Sequence, residues 1–406
     1  MTYDQAESLL KKHGQEHLLQ YFGEISESEK KHLLDEISRL DFSVLENLGE
    51  GRGVDFDRLS PADAITKEQI AADRQSYEDA GIAAIRQGKV AAVLLAGGQG
   101  TRLGSDKPKG MFDIGVSREL TIFEQQMNNI AEVTAKAGKD FHIFIMTSTR
   151  NNADTREFFA KKNYFGYDPD KIHFYIQQVA PTCSYDGKIF LEEKWKISTS
   201  PNGNGGWYSS LLGANLGGVL EENNIEWLNI YAVDNVLQRI CDPVFIGATL
   251  KSGCACSGKV VKKVSPEEKV GVLCKSDGLP AIVEYYELPA ADANRRDPDG
   301  ELTYRYGVIL NYLFSVEGLN KIYNRKLPYH LAKKAIPHME NGVKVFPDCP
   351  CGYKFETLAV DLVKLMGSCL AVEVEREREF APVKNKTGVD SVESARELLI
   401  KNGVKL

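Results

Sequence analysis

The stretch "KVAAVLLAGGQGTRLGSDKPKGM", Lys89 to Met111, decides how the rest of the chain is read. Its first half, "KVAAVLLA", is a continuous apolar run, the mark of a strand buried on both faces of a parallel sheet. Gly97, Gly98 and Gly100 follow at once, and Arg102, Lys107 and Lys109 come directly after them. Glycines let backbone approach a ligand closely and adopt conformations closed to other residues. Their amides suit phosphate or base oxygens, and the cations suit a polyphosphate. The spacing excludes two common nucleotide loops. Gly104 stands one position too far for Gly-x-Gly-x-x-Gly, and no Gly-Lys-Ser/Thr closes a Walker A loop.

Working outward, strands and helices alternate. "ELTIFEQQMNNIAEVTAKAG", "NADTREFFAKKNYFG" and "WYSSLLGANLGGVLEENN" read as helices, and "DFHIFIMTS", "KIHFYIQQ" and "IEWLNIYAVDN" as strands. This order predicts an α/β fold with a mixed, mostly parallel sheet flanked by helices. The middle run "GKVVKKVSPEEKVGVLCKSDGLPAIVEYYEL" predicts an antiparallel insertion or a sheet extension. Toward the N-terminus, "SESEKKHLLDEISRL" carries a capping box, Ser26 with Glu29, ahead of Leu33, Leu34, Ile37 and Leu40 at helical spacing. A loop, "GEGRGVDFDRLSPAD", and a further helix, "TKEQIAADRQSYEDAGIAAIRQG", lead into the first strand. The C-terminal part offers a helix, "FETLAVDLVKLMG", a strand, "CLAVEVERE", and a last helix, "SVESARELLIKNG". The expected division is an N-terminal helical segment over 1–88, a nucleotide-handling domain over 89–344 and a small C-terminal α/β domain over 345–406.

Bulk properties narrow the class. The 406 residues are 43% hydrophobic and 26% charged, with a net charge of −7. That excludes a broad basic surface for nucleic acid, and no window has the length of uninterrupted apolar residues that a membrane span needs. The opening "MTYDQAESLLKKHG" has neither the basic start nor the apolar core of a secretory signal, so a cytoplasmic location is expected, with thiols at the eight cysteines. Two Cys-x-Cys pairs, 254–256 and 349–351, are spaced too tightly for a zinc site.

"LAGGQGTRLG" followed by "KPKGMFDIG" closely resembles the signature of uridylyltransferases that make UDP-sugars, nearest to the UDP-N-acetylglucosamine pyrophosphorylases. "QQVAP" (177–181), "SYDGKIFLEEKWKISTSPNGNGGWY" (184–208), "YAVDN" (231–235), "IVEYYEL" (282–288), "GYKFE" (352–356) and "EREFAPVKN" (377–385) resemble family segments in the same order. The resemblance implies a Rossmann-like nucleotidyltransferase fold of the GT-A-like kind. It also implies transfer of uridylyl from UTP to a sugar 1-phosphate with Mg²⁺, or Mn²⁺ in its place. The expected partners are small molecules, UTP and the sugar phosphate, with no nucleic acid and no membrane, in a monomer or weak homo-oligomer.

The chemistry sets what such a site needs. A sugar-phosphate oxygen attacks the α-phosphorus of UTP and pyrophosphate leaves. A phosphate dianion is already a nucleophile, so alignment and charge neutralisation carry the reaction. Asp234, ending a strand, is either a helix cap or a Mg²⁺ ligand on residue type alone; the resemblance implies the metal. Arg102 and Lys109 resemble the triphosphate clamp. Lys354 and Lys384 are assigned to the phosphates by resemblance only. Ala96, Gly97, Gly98, Gln177 (or Gln178, one register away) and Gly203 resemble the uracil site. Asn204 and Glu284 resemble sugar contacts, and Asn235 either contacts the sugar or supports Asp234. Two departures fall in the acceptor region. Val308 stands where relatives using an N-acetylated sugar carry an amide side chain, and Leu358 and Val360 replace aromatic residues. The same reaction on glucose 1-phosphate or galactose 1-phosphate is therefore the near alternative. A glycosyltransferase consuming UDP-sugar and a catalytically silent nucleotide sensor are the distant ones.

Overall fold

The computed structural model describes residues 1–48 and 56–406, so the loop expected over 49–63 lies partly outside the described residues. The chain forms two compact units, each assembled from separated segments. The larger gathers Val54–Gln177, Trp207–Lys326 and Val360–Leu406, and the smaller Met1–Gly53, Gln178–Gly206 and Leu327–Ala359. These units cross the boundaries at 88 and 344 drawn from the pattern of helices and strands, because sequence proximity does not report which segments share a core.

The larger unit is built on a sheet in which eight strands form one continuous path. We number them in chain order: β1 Ala64–Ile65, β2 Val90–Leu95, β3 Ile143–Thr147, β4 Ile172–Ile176, β5 Trp227–Ala232, β6 Cys256–Lys262, β7 Tyr306–Ser315 and β8 Cys369–Glu373. The order is β1-β8-β6-β7-β5-β2-β3-β4. All neighbours in this path run parallel except at β7, which is antiparallel to both β5 and β6. This is the mixed, mostly parallel sheet read from the alternating pattern. Every residue of β2 and β3 is buried, as their uninterrupted apolar runs require. A hairpin, Val272–Ser276 with Leu279–Val283, joins through Val272 opposite Gly307. The middle run is thus an extension of the main sheet.

Helices cover the sheet through one core that includes Ile122, Phe123, Met127 and Ile130 of the Ile122–Ala137 helix, and Val244, Phe245 and Ile246 of the Pro243–Ser252 helix. The latter packs on the Arg74–Arg86 helix at backbone contact. A Cβ at Gly247 would lie 1.8 Å from the Tyr77 carbonyl oxygen, and one at Gly81 1.9 Å from that of Pro243. Glycine is required at both positions by this approach.

Several helices differ from their expected lengths, among them these three. The 66–88 pattern breaks at Asp73 into Lys67–Ala72 and Arg74–Arg86. The 207–224 pattern splits into Trp207–Gly213 and Gly217–Glu222, with Asn215 at φ 60° turning the chain between them. The helix expected from Phe355 starts at Ala359, because Gly352–Glu356 is a strand. Strand β8, from the expected C-terminal domain, lies inside the main sheet between β1 and β6.

In the smaller unit the expected capping box forms. Ser26 and Glu29 satisfy each other's backbone at the start of the Glu27–Arg39 helix. That helix buries Leu33 and Ile37 with Leu10, Leu18, Ile189, Leu191 and Ile197. The Gln15 side chain accepts from Ile189 N at 2.9 Å and donates to the Gly187 carbonyl at 2.9 Å, sewing the N-terminal helices to the 184–197 segment. All eight cysteines are free thiols. Among the described residues, no helix is long and apolar enough to cross a membrane.

Candidate active site

The geometry starts from register. β2 and β5 are parallel neighbours with Leu95 opposite Ala232, so both chains leave the sheet side by side at their carboxyl ends. In open α/β sheets that edge is where ligands bind. The glycine-rich turn follows β2, and Asp234 stands two residues beyond β5. β3 and β4 end at the same edge, with Thr147 opposite Ile176, which brings Gln177 there too.

The turn after β2 is folded tightly on itself. Lys109 N donates to Gly98 O at 3.1 Å, and Gly100 N to Lys107 O at 2.9 Å. Gly104 takes φ 77°, a left-handed conformation that favours glycine. Gly110 seats on Phe123: a Cβ there would lie 2.2 Å from the ring. Two side chains absent from the sequence reading lock the edge. Asn151, fully buried, donates to Ala96 O at 2.9 Å and Gly98 O at 3.3 Å, while its Oδ1 accepts from Ser148 N. Gln126, likewise buried, donates to Ala232 O at 3.1 Å and Val233 O at 2.9 Å. Both look like ordinary helix polar residues in sequence. Only their burial marks them, since a buried amide must be satisfied.

Four of the expected residues come together here. Burial pushes the Lys109 ammonium below the ordinary lysine value; Asp234 pulls it back up, and Arg102 and Lys384 reinforce the lowering. Among the described residues, neither the Lys109 Nζ nor the Arg102 guanidinium has a hydrogen bond or ion pair, and the Asp234 carboxylate accepts no hydrogen bond. Lys384 is paired with Asp390 at 3.0 Å. A half-buried cation with no counter-ion in contact, flanked by two more cations, is an anion-binding arrangement. One carboxylate beside it fits a Mg²⁺ ion, which is usually held by one or two carboxylates with phosphates and water completing its shell. Among the described residues, no group of three or more His, Cys, Asp or Glu could form a closed metal cage.

The remaining residues divide. Gln177 is buried and Gln178 exposed. A Cβ at Gly97 would fall 2.9 Å from the Gln177 Oε1. Gly97→Ala therefore displaces a movable carboxamide and leaves the backbone where it is. The expected outcome is a melting temperature near wild type with a KM for UTP raised about tenfold, roughly the loss of one hydrogen bond. An unchanged KM would remove Gln177 from the uridine site. Asn235 is 2% exposed and its carboxamide is engaged by backbone: Nδ2 donates to Glu379 O at 2.7 Å and Oδ1 accepts from Ala381 N at 2.9 Å. Its carboxamide thus joins the end of β5 to the 379–381 backbone. Glu284 ends the Leu279–Val283 strand; a Cβ at Gly271 would lie 3.5 Å from its Oε1 and 3.4 Å from Val308 Cγ2, so these two residues are neighbours.

Gly203, Asn204 and Lys354 belong to the smaller unit. Gly203 takes φ 85°, and a Cβ there would lie 2.1 Å from Thr357 O. Asn204 Oδ1 accepts from Ala359 N at 2.8 Å, so this oxygen braces the turn against 357–359. Lys354 sits in strand Gly352–Glu356 opposite Ala332. Leu358 is half-buried, and Val360 is buried on the Ala359–Leu365 helix.

Comparison with known proteins gives the family. A profile of the UTP–glucose-1-phosphate uridylyltransferase family matches residues 39–401. UDP-N-acetylhexosamine pyrophosphorylase-like protein 1 of Homo sapiens is 35% identical over 418 residues, covering 96% of this chain and 82% of its own. UDP-N-acetylglucosamine pyrophosphorylase of Saccharomyces cerevisiae is 35% identical over 415 residues, covering 98% of this chain and 86% of its own. The crystal structure of the UDP-N-acetylglucosamine pyrophosphorylase of Trypanosoma brucei with an inhibitor superimposes with a TM-score of 0.83 at 27% identity, over 98% of this chain and 84% of that one. The match spans most of the sequence and contains the glycine-rich turn, Asp234 and Lys384: the chain belongs to the UTP–glucose-1-phosphate uridylyltransferase family of nucleotidyltransferases.

Proposed function

We propose that this enzyme joins UTP to N-acetylglucosamine 1-phosphate, forming UDP-N-acetylglucosamine and pyrophosphate. The observation that carries the reading is the cluster of Arg102, Asp234 and Lys384 around Lys109 at the carboxyl edge of β2 and β5, in a chain about one-third identical to proteins named for that reaction. Lys109 and Arg102 bind the β- and γ-phosphates and neutralise the charge that builds on the leaving pyrophosphate. Lys384 aligns the two phosphates that must meet, an oxygen of the sugar phosphate taking the α-phosphorus as the bond to pyrophosphate breaks. No proton has to move, so no general base is assigned. Asp234 would hold Mg²⁺, with Mn²⁺ as the substitute ion; when bound, the ion supplies charge neutralisation between phosphate oxygens. Ala96, Gly97, Gly98, Gln177 and Gly203 contribute to the uracil site, Asn204 and Glu284 to the sugar site, and Lys354 to the phosphates. The reaction is assigned to the cytoplasm, in a monomer or weak homo-oligomer.

Glucose 1-phosphate or galactose 1-phosphate is the second reading of the acceptor. It is favoured by Val308, an apolar side chain beside Glu284 where an amide is expected for the N-acetyl group. Release of pyrophosphate from UTP with a panel of sugar 1-phosphates tests both. The expected order by kcat/KM puts N-acetylglucosamine 1-phosphate first. A preference for glucose 1-phosphate would establish the second reading, and no release with any member would remove both.

A further inference from the structure

Lys259, in β6, is wholly buried. A buried ammonium is costly unless it is paired and fully hydrogen-bonded. Its Nζ donates to Asp242 Oδ2 at 3.2 Å, to the Arg239 carbonyl at 3.2 Å and to the Glu379 carboxylate, and it lies 5.4 Å from the centre of the Phe245 ring. Asp242 and Glu379 are buried as well, and Asp242 Oδ1 caps the Pro243–Ser252 helix through Val244 N. Arg239, half-buried, is the second cation facing the two carboxylates. Apolar residues of similar volume often stabilise a fold as well as such a cluster does, so stability alone gives no reason for it.

What the cluster joins gives the reason. Glu379 opens the segment that ends at Lys384. Its backbone carbonyl takes Asn235 Nδ2, and Asn235 Oδ1 takes Ala381 N. Val236 N then donates to Ala381 O at 3.2 Å, and Val383 N to Asp234 O at 2.8 Å. The 379–384 segment is thereby laid along the end of β5, one residue from each group that faces the phosphates. The Lys259 side chain is the anchor beneath it, reaching from β6 to both Glu379 and the 239–242 turn that follows β5.

We infer that Lys259 is a positioning residue for the transfer: it holds Glu379 and Asp242 together and so fixes Lys384 relative to Asp234. The inference rests on the roles proposed above for those two residues.

Lys259→Met alone leaves two buried carboxylates facing a single cation and endangers folding. Lys259→Met with Glu379→Gln removes one positive and one negative charge together, leaving Arg239 opposite Asp242. In this double variant the melting temperature should stay within about 5 °C of wild type. The kcat for pyrophosphate release should fall by roughly tenfold or more, the usual scale for partners that orient a ligand-binding group, with a smaller change in KM for the sugar phosphate. Amide exchange at Ala381 and Val383 should quicken by roughly tenfold or more, while the amides of β2 keep their wild-type rates. A folded double variant with wild-type kcat overturns the inference, whatever its exchange rates. So does a loss of kcat with exchange at 381 and 383 unchanged, because the segment would not have moved. The exchange measurement needs no substrate. No pyrophosphate release by the wild-type enzyme with any sugar 1-phosphate would overturn the functional reading instead, and exchange would still report whether Lys259 fixes the segment.

Discussion

Asp234→Asn lowers the kcat for pyrophosphate release on the order of 10³-fold, roughly 4 kcal/mol of transition-state stabilisation, with little change in thermal stability. The substitution keeps size and shape and removes one negative charge. In the fold, what Asp234 gives is its backbone carbonyl, which accepts from Val383 N at 2.8 Å, and asparagine retains it. The carboxylate accepts no hydrogen bond among the described residues, so the protein scaffold loses none. What is lost is the anion acting on Lys109, and with it the charge that would keep a Mg²⁺ ion beside the phosphates. Initial rates over a range of Mg²⁺ concentrations check this. The variant should need several-fold more Mg²⁺ for half-maximal rate, and a wild-type rate at wild-type Mg²⁺ would end the assignment of Asp234 to the metal.

Lys109→Met separates catalysis from stability in the opposite sense. Burial lowers the proton affinity of Lys109 in the folded state, so below its ordinary value the unfolded chain binds this proton more readily than the folded one. The sign follows by linkage: this group disfavours folding at neutral pH, and the penalty fades as pH rises through its lowered pKa toward the ordinary value. Methionine has a similar stem and no charge, so the variant should melt at or above the wild-type temperature at pH 7. Its kcat/KM for UTP should fall about 10²–10³-fold, because in the role proposed above Lys109 is a half-buried counter-ion for the charge developing on the pyrophosphate. Calorimetry and initial rates on one preparation check both halves. A destabilised variant would mean that Lys109 supports the fold, and a fully active one would remove it from the clamp.

Much of the fold was legible because its signals are local. The apolar runs at 90–95 and 143–147 gave buried strands, and the capping box at Ser26 gave a helix start. The turn at Gly97–Lys109 was readable as an anion site because glycines and cations are concentrated within a few residues of a strand end. Asn151, Gln126 and Lys259 were not readable. Their importance comes from partners far along the chain: Ala96 for Asn151, Ala232 for Gln126 and Glu379 for Lys259. Asn235 shows the same limit from the other side. Its sequence position beside Asp234 left two roles open, and nothing in the sequence showed that its carboxamide takes backbone groups at 379 and 381.

The domain boundaries separate in the same way. The pattern of helices and strands changes near residues 88 and 345, yet 178–206 and 327–359 share a unit with the N-terminal helices, and β8 joins the sheet that contains β2. The α/β class and the strand-turn motif can be read from the sequence because they are written in short-range periodicity and spacing, and the family because its motifs resemble a known signature in the same order. Only the tertiary structure decided which charges meet. The path β1-β8-β6-β7-β5-β2-β3-β4 places Asp234 beside the glycine-rich turn, buries Lys109 until it needs an anion, and ties Lys384 to β5 through Asn235 and Lys259. The physical reason is that electrostatic energy depends on distance and burial, and neither is fixed until strands distant in sequence become neighbours in the sheet.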